Sequence, residues 1–118
     1  MTNAQNFLKI NRERTGLSLQ DMATIIGYDV GNLSKIESGK LDANMRIALA
    51  YHIILKIPLE RLFKYHYPEI TFDCMERASK LKSVLEEGYP TTTVVKRITN
   101  LDIVIERLEG LHTHYASA

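Results

Sequence analysis

Asn32, Lys35 and Ser38 follow one another at three-residue spacing, with Asp29 three residues before the first of them. A carboxamide carries a donor and an acceptor side by side, which matches the major-groove edge of adenine, and a lysine ammonium donates to the acceptors of guanine. Held on the outer side of one helix, Asn32 and Lys35 are therefore suited to reading base edges, and Val30 to meeting a thymine methyl group. Asp29 is a further candidate for base readout, although its position favours use as a helix cap. Around them, Ser18, Leu19, Gln20, Tyr28, Ser38 and Lys40 are candidates for contacts to phosphate oxygens, from side chains or from backbone N–H groups at a helix start. Arg14 and Arg46 can add to a basic rim.

Such side chains do this only if a helix presents them. The stretch Gly27–Gly39, G-Y-D-V-G-N-L-S-K-I-E-S-G, predicts a short helix over about residues 30–38, closed at both ends by glycine. Asp29 accepts from the free N–H groups of the first turn, Gly27 supplies a left-handed turn before it, and Gly39 the αL stop after it. Leu33 and Ile36, with Val30, face inward; Asn32, Lys35 and Ser38 face out. A helix this short does not hold itself together in water, so it must dock on a neighbour. The neighbour is the preceding stretch, where Ser18-Leu19-Gln20-Asp21 reads as a capping box ahead of Met22, Ala23, Ile25 and Ile26. Ala23 sits where the two helices would cross. Helix, glycine-containing turn and second helix is the helix-turn-helix pattern.

From about Leu8 to Phe63, roughly half the chain, the sequence resembles the phage-repressor-like (Cro/CI, or Xre) DNA-binding domains. The resemblance is carried by R-T-G-L-S (Arg14–Ser18), D-M-A-x-x-I-G (Asp21–Gly27), L-S-K-I-E-S-G-K (Leu33–Lys40) and I-P-L-E-R-L-F (Ile57–Phe63). It implies a five-helix, lambda-repressor-like domain with the helix from Val30 to Ser38 in the major groove. It also implies an internal ion pair between Arg12 and Glu37, tying the first helix to the third. Leu19 stands where the family often has Gln, and Val30 and Gly31 where it often has polar or basic residues, so few side chains are left to read bases.

With 118 residues, one domain or a domain with a small appendage is expected. The net charge is only +1, but residues 1–68 carry nine Lys/Arg against six Asp/Glu, and residues 69–118 six against eight. The positive half is the half with the motif, and a local basic face is sufficient to meet phosphates. No apolar run approaches the ~20 residues of a membrane span, and the opening Met-Thr-Asn-Ala-Gln-Asn lacks the regions of a signal peptide. A single cysteine, Cys74, precludes an internal disulfide and fits a reducing cytoplasm.

The remaining elements follow from periodicity. Residues 4–14 read as a first helix ended by Thr15-Gly16. Asp42 is the expected cap of a fourth helix, Ala43–Lys56, whose apolar residues on most sides suggest a central position. Pro58 opens a short fifth helix, Leu59–Lys64. Tyr65-His66-Tyr67-Pro68 breaks the pattern, which places a DNA-binding domain in 1–66 and an αα-hairpin in 67–118. In the hairpin, Thr71 or Asp73 caps a helix to about Glu87, and Thr91–Thr93 start another after Gly88-Tyr89-Pro90. Along the second, Val94, Ile98, Leu101, Ile105 and Leu108 recur at four-three spacing, a seam that either closes on the other helices or forms a dimer interface with a second chain.

No cofactor or small-molecule substrate is expected. His112 and His114 at i, i+2 lie on different sides of a helix, so no metal is expected there; Cys74 sits among acids, a setting that disfavours a reactive thiolate. No catalytic constellation appears, and an enzyme is not expected. The sequence thus predicts an all-α transcriptional regulator that binds double-stranded DNA as a homodimer, most simply a repressor, with a protein antagonist as a possible partner and no membrane. The alternative is an antitoxin-like or protein-interaction module that keeps the fold while its helical tail binds a partner protein.

Overall fold

The computed structural model describes residues 6–117, and every regular element among them is a helix. They form two units, one ending at His66 and one beginning at Tyr67. Residues 4 and 5, expected to open the first helix, lie outside the described residues, as do the other residues of the start of the chain.

The first unit contains α1 (Leu8–Arg14), α2 (Leu19–Ile26), α3 (Val30–Glu37), α4 (Met45–Leu55) and α5 (Leu59–Leu62). Local chemistry sets their limits. Ser18 and Asp21 form a reciprocal capping box at α2: Asp21 N–H donates to Ser18 Oγ, and Ser18 N–H to Asp21 Oδ2, each at 3.0 Å. The turn to α3 runs through Gly27 at φ 77°, and α3 is followed by Gly39 at φ 80°, both in the region that disfavours any Cβ. Leu8, Met22, Leu33, Ile36, Ile47, Tyr51 and Leu62 are all but sealed from solvent, and Ala23 is buried with them.

Within this apolar core lies a charge. Glu37 receives Arg12 Nε at 2.8 Å on Oε2 and Arg12 Nη2 at 3.0 Å on Oε1, while Tyr51 donates to Oε2 at 2.6 Å. Arg12 Nη1 donates to the Leu17 carbonyl at 2.9 Å. The pair implied by the resemblance is thus present and forms part of a larger network joining α1, α3, α4 and the loop before α2. The hydrogen bond to Glu37 raises the pKa of Arg12; burial, then the bond to Glu37, raise that of Tyr51. Both donors keep their protons.

Helix α4 departs from expectation. Its cap is Asn44, whose Oδ1 accepts from Ile47 N–H at 2.9 Å, not Asp42, so the helix starts at Met45 rather than Ala43. It is not surrounded either: Ile47, Tyr51 and Leu55, four apart, fill the core, while Met45 is 78% and Ile53 72% exposed. The helix ends at Lys56 in a left-handed conformation (φ 59°), and His52 Nδ1 bonds the Ile57 carbonyl at 2.7 Å just beyond. Helix α5 is shorter than expected, with Pro58 as its N-cap.

The second unit is built from α6 (His66–Glu87) and α7 (Thr92–Ser117). Helix α6 starts well before either predicted cap, because Pro68 falls in its first turn, where the missing N–H has no helical partner to lose. Thr71 is instead buried in the helix, its Oγ1 bonded to the Tyr67 carbonyl at 2.9 Å. The helices run antiparallel: Tyr67 meets Tyr115, Phe72 meets His112, and Lys82 pairs with Asp102. Val94, Ile98, Leu101, Ile105 and Leu108 are each half-buried. Their four-three spacing continues through His112 and Tyr115, which touch α6, so this seam faces the other helix of its own hairpin.

Removing one partner of the buried network leaves the rest uncompensated. Glu37→Ala is expected to cost about 3–5 kcal/mol, and Tyr51→Phe, which loses one bond to a charged acceptor, about 1.5–3 kcal/mol, both read by urea denaturation. At α2, the bond from the Ser18 backbone N–H, then that involving its hydroxyl, lowers the Asp21 pKa. The stability this carboxylate contributes is present above its unfolded pKa of ~3.9 and is lost as pH falls through the lower folded value. The difference in melting temperature between wild type and Asp21→Asn should therefore close as the pH drops below about 4.

Candidate nucleic-acid interface

Helix α3 is positioned by what it hides. Leu33 and Ile36 are 0% and 1% exposed, and Glu37 is held by the ionic network, so the side of α3 turned to α2 and α4 is fixed. On the remaining surface, Asn32 and Lys35 are both exposed. Asp29 is the N-cap, its Oδ2 accepting from the Asn32 backbone N–H at 2.9 Å, which leaves the Asn32 carboxamide outside the cap. Val30, expected on the inner face, is 38% exposed instead; Leu33, Ile36 and Glu37 fill that face, and the first turn of α3 lies at its edge.

The phosphate candidates divide by their bonding. Ser18 is exposed, with its Oγ accepting from the Asp21 N–H at 3.0 Å and its hydroxyl interacting with the Asp21 carboxylate. Ser38 donates its hydroxyl hydrogen to the Lys35 carbonyl at 3.0 Å, which leaves it no proton for a phosphate oxygen in this rotamer. Gln20 is exposed, its amide 3.3 Å from Thr24 Oγ1. Leu19 and Tyr28 are half-buried against the core; the apolar side chain of Leu19 offers phosphate nothing, and any contact there comes from its backbone. Lys40, Arg14 and Arg46 are exposed, whereas Arg12 is fully engaged inside.

Two exposed positions of α3 were given no role from sequence. Ser34 flanks Lys35, and Gly31 lies one turn before it on the same side. The helical period placed both outward; small side chains gave no chemical signal to single them out. Tyr51 was missed likewise, although its spacing from Ile47 and Leu55 placed it on the inner stripe of α4. Among the described residues no group of three or more His, Cys, Asp or Glu can hold a metal ion, and no helix is long and apolar enough to cross a membrane.

Residues 8–62 match the family described as helix-turn-helix. No curated protein and no solved structure matches the chain.

The cap that orders the start of α3 can be tested by itself. Asp29→Ala should lower stability by about 1 kcal/mol, while Asp29→Ser or Asp29→Asn, which keep an acceptor, should retain most of it; chemical denaturation measures the difference.

Proposed function

Residues 8–62 belong to the helix-turn-helix family of DNA-binding regulators, of the Xre/Cro/CI type, and from that premise we propose that the chain is a cytoplasmic repressor that binds a double-stranded operator as a homodimer. The observation that carries this reading is the exposure of Asn32 and Lys35 on a helix whose other side is fixed by Leu33, Ile36 and Glu37. Residues 30–38 enter the major groove, where Lys35 donates to guanine acceptors and Asn32 pairs with adenine. Ser18, the backbone at the start of α2 and Lys40 hold the phosphates and release counterions. Repression needs only occupancy of a promoter, with no surface for polymerase.

One short recognition helix discriminates poorly, and two copies reading half-sites about one DNA turn apart do better. The second unit is the candidate for joining them. Its seam of Val94, Ile98, Leu101, Ile105 and Leu108 is only half-buried by its own hairpin, and Leu81, Val84, Val104 and Leu111 remain exposed beside it. Two hairpins packed together would cover this apolar surface.

A specific observation keeps a second reading in view. Ile25, Met45, Leu49 and Ile53 line an open apolar cleft between the end of α2 and the outer face of α4, a surface suited to a protein partner such as an antagonist or, in an antitoxin-like module, the protein held in check.

Binding to genomic fragments at two salt concentrations separates these readings. The repressor reading expects selective binding that weakens as salt is raised and is lost in Asn32→Ala/Lys35→Ala; binding indifferent to both favours the protein-partner reading. For assembly, light scattering at tens of micromolar should give the mass of two chains, falling to one in Val84→Asp/Val104→Asp, which leave the seam itself intact.

A further inference from the structure

We propose that Gly31 sets how closely α3 approaches DNA: the absent side chain lets the helix backbone settle against the base edges, so that Lys35 and Asn32 reach them. The inference rests on the DNA-binding reading above. At about 100° per residue, Gly31 stands some 200° around the helix from Leu33, almost opposite the buried side. Lys35 follows one turn later in the same direction. A side chain at Gly31 would therefore be among the first atoms of the protein to meet the floor of the groove.

The fold itself has little use for glycine here. The glycines in left-handed conformations are Gly16, Gly27 and Gly39, and Gly31 is not one of them. It lies in the first turn of α3, where alanine forms helix more readily. A Cβ built on Gly31 would meet only Asp29 Oδ2 within 4 Å, at 3.2 Å, the end of an exposed side chain. One tight contact with the capping carboxylate is thus what an added Cβ would meet inside the protein. The external reason is the surface that α3 presents: every other outward position of the helix carries a side chain, and the bare one lies in the first turn, opposite the buried side and near the two that can read bases.

The two reasons separate in a double-mutant cycle. The full-length wild-type chain is used to enrich duplexes from a random pool, and the Kd for the enriched duplex is measured by fluorescence anisotropy. Gly31→Ala and Gly31→Leu are compared with their parents in the wild-type background and in Asp29→Ser, which shortens the cap side chain but keeps an acceptor. Melting temperatures are recorded alongside. Gly31→Ala should weaken binding by about tenfold, the equivalent of one base contact, and Gly31→Leu by more. The losses should be equal in both backgrounds, with no matching fall in melting temperature. Undiminished affinity in Gly31→Ala overturns the proposal. So does a loss that vanishes in Asp29→Ser, which would assign the glycine to the cap, or one that tracks a lowered melting temperature. If the wild type enriches no sequence, the DNA-binding reading fails and this inference with it; enrichment followed by tight binding of Gly31→Ala removes this inference alone.

Discussion

A carboxylate buried among apolar side chains is tolerable only when its lone pairs are occupied, and Glu37 meets that condition with three donors from two other helices. Each donor comes from a different direction: Arg12 from α1 by two nitrogens, Tyr51 from α4 by its hydroxyl. The acceptor belongs to α3, the helix whose other side faces out. Apolar contacts such as Leu33 and Ile36 resist separation but permit sliding, because dispersion and hydrophobic burial have little directionality. Hydrogen bonds to a fixed carboxylate do not permit it. The orientation of α3 about its own axis, and so the direction of Asn32 and Lys35, depends on this network. Arg12 extends the constraint through the Leu17 carbonyl to the loop that precedes α2.

The parts of the first unit that were legible in sequence were those decided by neighbours in the chain. The Ser18–Asp21 box, the Asp29 cap and the turns at Gly27 and Gly39 each depend on bonds spanning a few residues, and spacing reveals them. Where more than one residue could open a helix, residue type alone pointed to the wrong start. At α4 the expected cap, Asp42, is not used; Asn44, two residues later and equally able to accept, caps the helix instead. Thr71 reads as a cap by type, yet α6 begins earlier, through Pro68, and takes Thr71 into its buried side. Apolar content also misled at α4: Met45, Leu49 and Ile53 gave the impression of a surrounded helix, but only tertiary packing determines which stripe is covered. At the candidate interface, the outward direction of Asn32 and Lys35 was readable from period. The commitment of the Ser38 hydroxyl to a backbone carbonyl was not, because a rotamer choice leaves no trace in residue order.

The electrostatics of the chain are modest, and the buried network helps explain the pattern. Arg12 contributes to the formal charge but nothing to the surface, since its guanidinium is matched inside. Exposed cations near α3 include Lys35, Lys40 and Lys9, the last lining a surface hollow with Glu37 and Ser38, and Arg14 and Arg46 are exposed as well. A small number of charges gives a shallow dependence of affinity on salt for each copy, and it places more of the total on shape and on the few direct contacts.

The network also divides α3 along its length. Glu37, the residue that anchors the helix, is in its last turn, while the exposed residues from Val30 to Ser34 are in its first two, ordered by a cap that is itself on the surface. Substitutions at those exposed positions touch neither the buried carboxylate nor the core. Descendants of this chain can therefore exchange a handful of surface residues at the start of α3 while inheriting the scaffold unchanged.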